Sequence, residues 1–357
     1  MFSDAKAVRR DLTGEFAQAA LTHYHRRQYD LAERFAKAVL ESTPAHWGMR
    51  KCLARIHIRL HRWDDADKII TALIKERARD LEVQHLRGWR YLRSGDYREA
   101  FSFFTQVLAH KGDRVETLRA AAECLYRLER SHEALDFLNK AKEVESDNPF
   151  VLELEARIHE ESGEFRKALV AMRLAVNRNP SSWRLRHRLA RIQYSLGNRY
   201  DAIEEVSVAV SLDPAQFLPL NTLVSWLLDQ GDLKGAAQEL PTLRTLASNA
   251  RERQLVDHLE ARERHQASDF DSALSIVNQQ IQRGINKAAS LGLMAEIKLD
   301  QINNLSSNSL ASVSMLLAQV ENAIQDCELL PDHDPKVLEK LKSRVETVKA
   351  LLKTLEP

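Results

Sequence analysis

Between Pro149 and Pro180 the chain reads PFVLELEARIHEESGEFRKALVAMRLAVNRNP, with apolar residues at helical spacing twice over. Leu152, Ala156 and His159 form a first stripe, which ends at Ser162-Gly163, where glycine tolerates a left-handed turn. A second stripe starts near Glu164 and carries Phe165, Ala168, Met172, Ala175 and Val176 until Pro180 stops it. Small Ala168 suits a close helix crossing, with large Phe165 and Met172 filling the space on either side.

The unit recurs. Steps of 34 residues from Ala168 land on Ala134, Ala100, Ala66 and Ala32 in one direction and on Ala202 and Ala236 in the other. Three residues before each marker stand Tyr29, Trp63, Tyr97, Ser131, Phe165, Arg199 and Leu233. Seven residues after it come Val39, Leu73, Val107, Ala141, Ala175, Ala209 and Leu243. The tight turn reads SGDY at Ser94–Tyr97, SGEF at Ser162–Phe165, LGNR at Leu196–Arg199 and QGDL at Gln230–Leu233. Pro44, Pro180 and Pro214 end units in phase. An eighth unit is predicted around Ser268–Ala273, with Ala273 three residues late. The surplus falls near Ser248–Arg251 and predicts a longer loop or a bend there.

A 34-residue helix–turn–helix of this pattern resembles the tetratricopeptide repeat, over about Thr13 to Gly284. The resemblance implies an all-α fold, a right-handed superhelical solenoid of about eight such units. There are departures. The early aromatic of the family is mostly missing, and its first-helix glycine survives only as Gly88, becoming Ala20, Ala54, Ala122, Ala156 and Ala190 elsewhere. Residues 1–12 read as an N-terminal helical extension, 13–286 as the solenoid and 287–357 as a C-terminal segment. Beyond Gly284 the register is lost. Lys287–Asp300 and Leu310–Leu330 read as helices around a polar loop at Gln301–Ser309. Asp334 then looks like an N-cap with Pro335 at the first helical position. The last helix carries Val337, Leu338, Leu341, Val345, Val348 and Leu352 on one face. Solenoids need a terminal cap, so capping is the favoured reading, with homo-oligomerisation through these helices as the sharper alternative.

Composition narrows the function classes. The chain has 357 residues, a net charge of +1, 29% charged and 44% hydrophobic residues, a globular balance with no bulk signal for nucleic acid or membrane. Cys52, Cys124 and Cys327 are dispersed in no metal spacing and read as buried thiols. The opening MFSDAKAVRRDLTGEF has no apolar core of a signal sequence, and no 18-residue apolar run occurs; the expected compartment is the cytoplasm, without membrane insertion.

Catalytic chemistry finds no foothold. There is no GxxxxGK[ST] and no strand leading into GxGxxG. His57 and His61 have helical ligand spacing but no third ligand, so they read as a structural pair. Ser3–Lys6 matches SxxK without its companion motifs. Asp65, Asp67, Asp269 and Asp271 flank turns, where carboxylates complement helix dipoles. The expectation is a non-enzyme with no cofactor and no metal.

In the repeat family the first helices line the concave face, exposing the second, fifth, sixth, ninth and thirteenth positions of each unit. Carried over to units starting at Trp47, Leu81, Val115, Pro149, Trp183 and Gln254, the resemblance assigns that face Lys51, Arg55 and Arg59, then His85, Trp89 and Arg93, then Arg119 and Arg127, then Arg157, then Arg184, His187, Arg188 and Arg191, then His258 and Arg262; Tyr24, Trp89 and Tyr126 are read as aromatic contacts. Acidic Glu123, Glu153 and Glu161 interrupt an otherwise basic surface. Some family members clamp a C-terminal carboxylate; Arg184 and Arg188 match two clamp positions in type, but Arg119, Glu123 and Leu154 occupy the other three, so that ligand is not expected.

Arginine forks suit carboxylates, and a concave wall focuses like charges. The expected partner is an acidic peptide or protein surface held by a non-catalytic interaction scaffold. The bland alternative is a set of solvated arginines whose stems cover apolar surface. A second functional reading is a regulatory or sensor subunit of a larger bacterial signalling or defence assembly whose effector lies elsewhere. Nucleic acid is a poor fit, because no sustained basic stripe with interleaved aromatics is present.

Overall fold

The computed structural model describes residues 2–111, 114–284, 287–304 and 310–355, and among them every regular element is an α-helix. The chain divides into two compact units, Met1–Pro180 and Ser181–Pro357.

The first unit is five helical pairs: α1 (Phe2–His25) with α2 (Tyr29–Ser42), α3 (Trp47–Arg59) with α4 (Trp63–Glu76), α5 (Leu81–Ser94) with α6 (Tyr97–Lys111), α7 (Val115–Arg127) with α8 (Ser131–Val144), and α9 (Pro149–Glu161) with α10 (Phe165–Arg178). Helix starts follow the expected period. Local signals set several of them. Asn148 caps α9 by accepting from the amides of Phe150 (3.1 Å) and Val151 (3.3 Å), with Pro149 at the first turn, where its missing N–H costs nothing. Asp80 does the same for α5 through Glu82 and Val83. Each first helix contacts the first helix of the next pair, so α1, α3, α5, α7 and α9 stand side by side.

The marker alanines Ala32, Ala66, Ala100, Ala134 and Ala168 are all fully buried, as are Val39, Leu73, Ala141 and Ala175 seven positions later. Where the helices of a pair cross, small first-helix residues face larger second-helix ones. Gly88 and Phe104 are the extreme case: a Cβ at Gly88 would lie 2.7 Å from Phe104 Cε1. The alanines at the equivalent place, Ala20, Ala54, Ala122 and Ala156, have no solvent exposure.

The turn inside each pair needs one residue with positive φ. Gly95 and Gly163 supply it at 95° and 73°. Arg27, His61 and Glu129 adopt it at 61°, 59° and 62°, one repeat apart from the glycines and without the glycine that announces the turn in sequence. His61 therefore lies beyond the end of α3, packed edge-on against Trp63 with ring centroids 5.0 Å apart. The expected helical pair His57/His61 does not exist. His57 is buried 3.5 Å from Glu33 Oε1, and neither ring nitrogen has a hydrogen-bond partner. No group of three His, Cys, Asp or Glu among the described residues could hold a metal. Cys52, Cys124 and Cys327 are free and buried, and burial pushes the Cys124 thiol up to about 12.

The second unit continues the pattern with α11 (Trp183–Ser195) and α12 (Arg199–Leu212), α13 (Phe217–Asp229) and α14 (Leu233–Leu246), and α15 (Ala250–Gln266) and α16 (Phe270–Arg283). Ala202, Ala236 and Ala273 are fully buried. The surplus residues do not lengthen a loop. Only Ala247, Ser248 and Asn249 separate α14 from α15, and α15 instead has 17 residues where α11 and α13 have 13. Asn249 caps the added turn by accepting from the Glu252 amide at 2.9 Å. Arg244 near the end of α14 bridges Asp257 (2.9 Å) and Glu260 (2.7 Å) on α15.

Past Gly284 the pairing carries on. The chain next forms α17 (Lys287–Asn304), which packs against α15 and α16 and is fully buried at Ala295, 34 positions after equally buried Ala261. It runs four residues beyond Asp300, and the remainder of the expected polar loop, 305–309, lies outside the described residues. The last helices are α18 (Leu310–Glu328) and α19 (Pro335–Leu355), and Asp334 accepts from the Lys336 amide at 2.9 Å as the cap of α19. Leu338, Leu341, Val345 and Val348 on α19 are buried with Leu291, Ala295, Leu299, Val320 and Ile324 in one core. Val337 stays exposed. No described helix is long and apolar enough to cross a membrane.

Candidate functional site

In the first unit the aligned first helices place two arginines against one indole, with two more on the neighbouring helix α3. Arg55 and Arg59 lie four apart on α3, Trp89 and Arg93 four apart on α5, and Arg119 stands on α7; such spacing keeps each pair on one helix face. The Arg119 guanidinium is 5.5 Å from the Trp89 ring centroid and that of Arg93 is 5.9 Å away. Beneath them lies an aromatic floor. Phe104 contacts Trp89 edge-on at 5.9 Å and His85 at 5.5 Å, and the Trp89 indole N–H donates to His85 Nε2 at 3.3 Å. The glycine at 88 is what lets Phe104 rise under this floor.

None of Arg55, Arg59, Arg93 and Arg119 makes an ion pair with a described carboxylate, whereas other first-helix cations such as Arg50, Lys51, Arg90, Arg127 and Arg157 do. Lys51, expected to face a ligand, is paired with Glu82. Glu123 is shared by Arg127 (3.4 Å) and Arg157 (3.6 Å), and Arg157 also stacks 4.9 Å over Tyr126. Tyr126 is buried and its hydroxyl donates to Glu161. Burial holds the Arg93 and Arg119 guanidiniums below the usual arginine range, helped by the like charge of Arg59 and opposed by Glu123 and, at Arg119, by Glu116 and Glu153. Burial and the Arg55, Arg114 and Arg119 charges push His85 down to about 4, so it is neutral at pH 7 and free to accept from Trp89.

The second unit places its expected residues on α11. Arg184 is exposed and stacks 5.2 Å over Trp183. His187 is buried, and its Nε2 lies 2.9 Å from Thr222 Oγ1, which itself donates to the Leu218 carbonyl, so the ring donates. Burial and the adjacent Arg191 and Arg188 push His187 down to about 4. Arg188 is half-buried and Arg191 exposed.

The expected residues thus divide. Trp89, Arg93 and Arg119 come together, with Arg55 and Arg59 on the next first helix; Lys51, Tyr126 and Arg157 are engaged by carboxylates; Arg184, His187, Arg188 and Arg191 belong to the other unit. Of the floor residues, His85 was expected on the ligand face, whereas Phe104 was not. The glycine at 88, with a large aromatic half a repeat later, is the signal that could have found Phe104.

A sequence profile of the tetratricopeptide repeat matches residues 91–158. The helical pairs before and after these residues repeat the same tetratricopeptide architecture. It is 27% identical over 136 residues to the DnaJ homolog subfamily C member 7 homolog of Schizosaccharomyces pombe, a match spanning 37% of this chain and 29% of that protein. Among solved structures it resembles the APC/C hetero-tetramer Cut9–Hcn1, with a TM-score of 0.57 at 16% identity over 90% of this chain and 60% of that one. It also resembles PilF of Pseudomonas aeruginosa, with a TM-score of 0.53 at 17% identity over 60% of this chain and 97% of that one. At these identities the structural likeness is one of fold. The chain spans less than a third of its curated relative and about three-fifths of the Cut9–Hcn1 chain.

Proposed function

We propose that the chain is a non-catalytic scaffold whose first unit holds an extended acidic peptide, or an acidic segment of a partner protein, across the faces of α3, α5 and α7. The observation that carries this reading is the pair Arg93 and Arg119 against Trp89, without ion-paired carboxylates, beside Arg55 and Arg59 on the neighbouring helix. Guanidinium groups left unpaired beside an aromatic plane repel one another until an anion arrives, and the helices that carry them are held by packed cores, so little ordering is lost on binding. Arg184, His187, Arg188 and Arg191 offer a second basic face on α11. A cytoplasmic setting fits the buried free thiols.

The test compares capture of partners from lysate by wild type, by Arg55→Glu/Arg59→Glu/Arg93→Glu and by Arg184→Glu/Arg188→Glu/Arg191→Glu, after circular dichroism shows each variant folded. The reading expects a direct partner, confirmed with purified proteins, to be lost in the first variant. Retention of every direct partner by that variant would overturn it.

A further inference from the structure

The acidic groups around Trp89 are already in use. Glu82 serves Lys51, and Glu123 lies between Arg127 and Arg157. Four guanidiniums remain, on three helices, and all are arginine. A planar carboxylate offers two oxygens and a single negative charge, enough for one fork or two. A phosphoryl group carries about −1.5 to −2 charge at neutral pH and three strong acceptor oxygens arranged tetrahedrally. Forks arriving from α3, α5 and α7 approach a common ligand from three directions, which is the arrangement a tetrahedral acceptor satisfies.

We propose that Arg93 and Arg119, gathered at Trp89, together with Arg59 on the neighbouring helix, form a phosphoryl-reading site that takes a phosphorylated side chain of the bound peptide. This rests on the peptide-binding reading of the same face. Trp89 gives the site its floor: its ring is braced by Phe104 and its N–H is fixed by His85, so the indole presents a set plane against which the phosphorylated residue packs. Burial lowers the Arg93 and Arg119 guanidiniums against the opposing charge of Glu123, joined at Arg119 by Glu116 and Glu153.

Fluorescence polarisation with the full chain tests this, using degenerate peptide libraries with a central phosphoserine, phosphotyrosine, serine or glutamate. At least one phosphorylated library should bind about tenfold or more tighter than the glutamate library, a gap of roughly 1.4 kcal/mol. Arg59→Gln/Arg93→Gln, at two exposed positions, should close that gap, and Arg119→Lys, which keeps the charge but loses the fork, should narrow it. Equal binding of phosphorylated and glutamate libraries, both lost in the arginine variant, would overturn the phosphoryl assignment and leave the acidic-peptide reading standing. A gap that persists in the variant would place the phosphoryl group elsewhere and overturn the site. Inorganic phosphate binding as tightly as the phosphorylated libraries would assign the site to the free anion and overturn the peptide. Absence of binding by every library would sink both readings.

Discussion

Gly88 on α5 and Phe104 on α6 occupy one space: the ring lies where a side chain at 88 would begin. Phe104 is the largest of the fully buried side chains and also supports Trp89 from below, so this contact couples packing to the candidate site.

Replacing Gly88 by Ala should destabilise the first unit. Overpacking costs about 1–3 kcal/mol and the helix-propensity gain returns roughly 1, leaving a net loss of about 1–2 kcal/mol in chemical denaturation. Phe104→Leu in the same chain should remove the clash, so the double variant loses less than the sum of the two singles. Simple additivity would show that the two residues are not in competition.

The left-handed turns make a sharper comparison. Glu129 takes at 62° the conformation that Gly163 takes at 73° one repeat later. Glu129→Gly should stabilise by about 0.5–1 kcal/mol, since a non-glycine residue there costs about 1–2 and glycine adds less than that in chain entropy. Gly163→Ala should cost about 1 kcal/mol by the same reasoning. An unchanged melting temperature for Glu129→Gly would mean the turn carries no strain.

Stability should fall on acidification. His85, His187 and His258 are held down to about 4, whereas the unfolded chain protonates its histidines near the ordinary value of 6.5. Between those values the unfolded state binds more protons, so the stabilisation is complete above about pH 6.5 and is lost as pH falls towards 4. Each histidine contributes up to about 1.4 kcal/mol per pH unit to the slope inside that window. His85→Gln should flatten the pH dependence of the melting temperature of the first unit; a slope equal to wild type would show that His85 titrates normally.

Glu123 is the carboxylate that tempers the basic face, through Arg127 and Arg157. Glu123→Gln should strengthen binding of an acidic peptide by about three- to tenfold at low salt and steepen its salt dependence. Titration calorimetry at several salt concentrations checks this, and an affinity unchanged at low salt would place the ligand away from Glu123.

Much of the fold was legible because the repeat is a packing rule. A small residue every 34 positions, fully buried from Ala32 to Ala236, marks each helix crossing, and the helix starts at Trp47, Leu81, Val115, Pro149, Trp183 and Phe217 follow from it. What escaped has physical causes. Glu129 and His61 adopt a glycine-like conformation that their identity does not signal. The surplus before α15 became helix because Asn249 could cap it. In the site, the residue types and faces were readable, but the pairing of Lys51 with Glu82, 31 positions away, depends on which helices lie side by side. Charge counting along the chain cannot distinguish a neutralised lysine from an arginine left without a counter-ion.

The unpaired guanidiniums around Trp89 have a bearing on the lifetime of the protein. On the proposed reading, like charges held together by packing make the empty chain less stable than its cores alone would allow, and a bound anion would discharge that tension. Occupancy is then written into resistance to unfolding: a chain with its partner opens less often and meets proteases less often than one without. Abundance in the cell would follow the supply of partner, with no separate device to sense it.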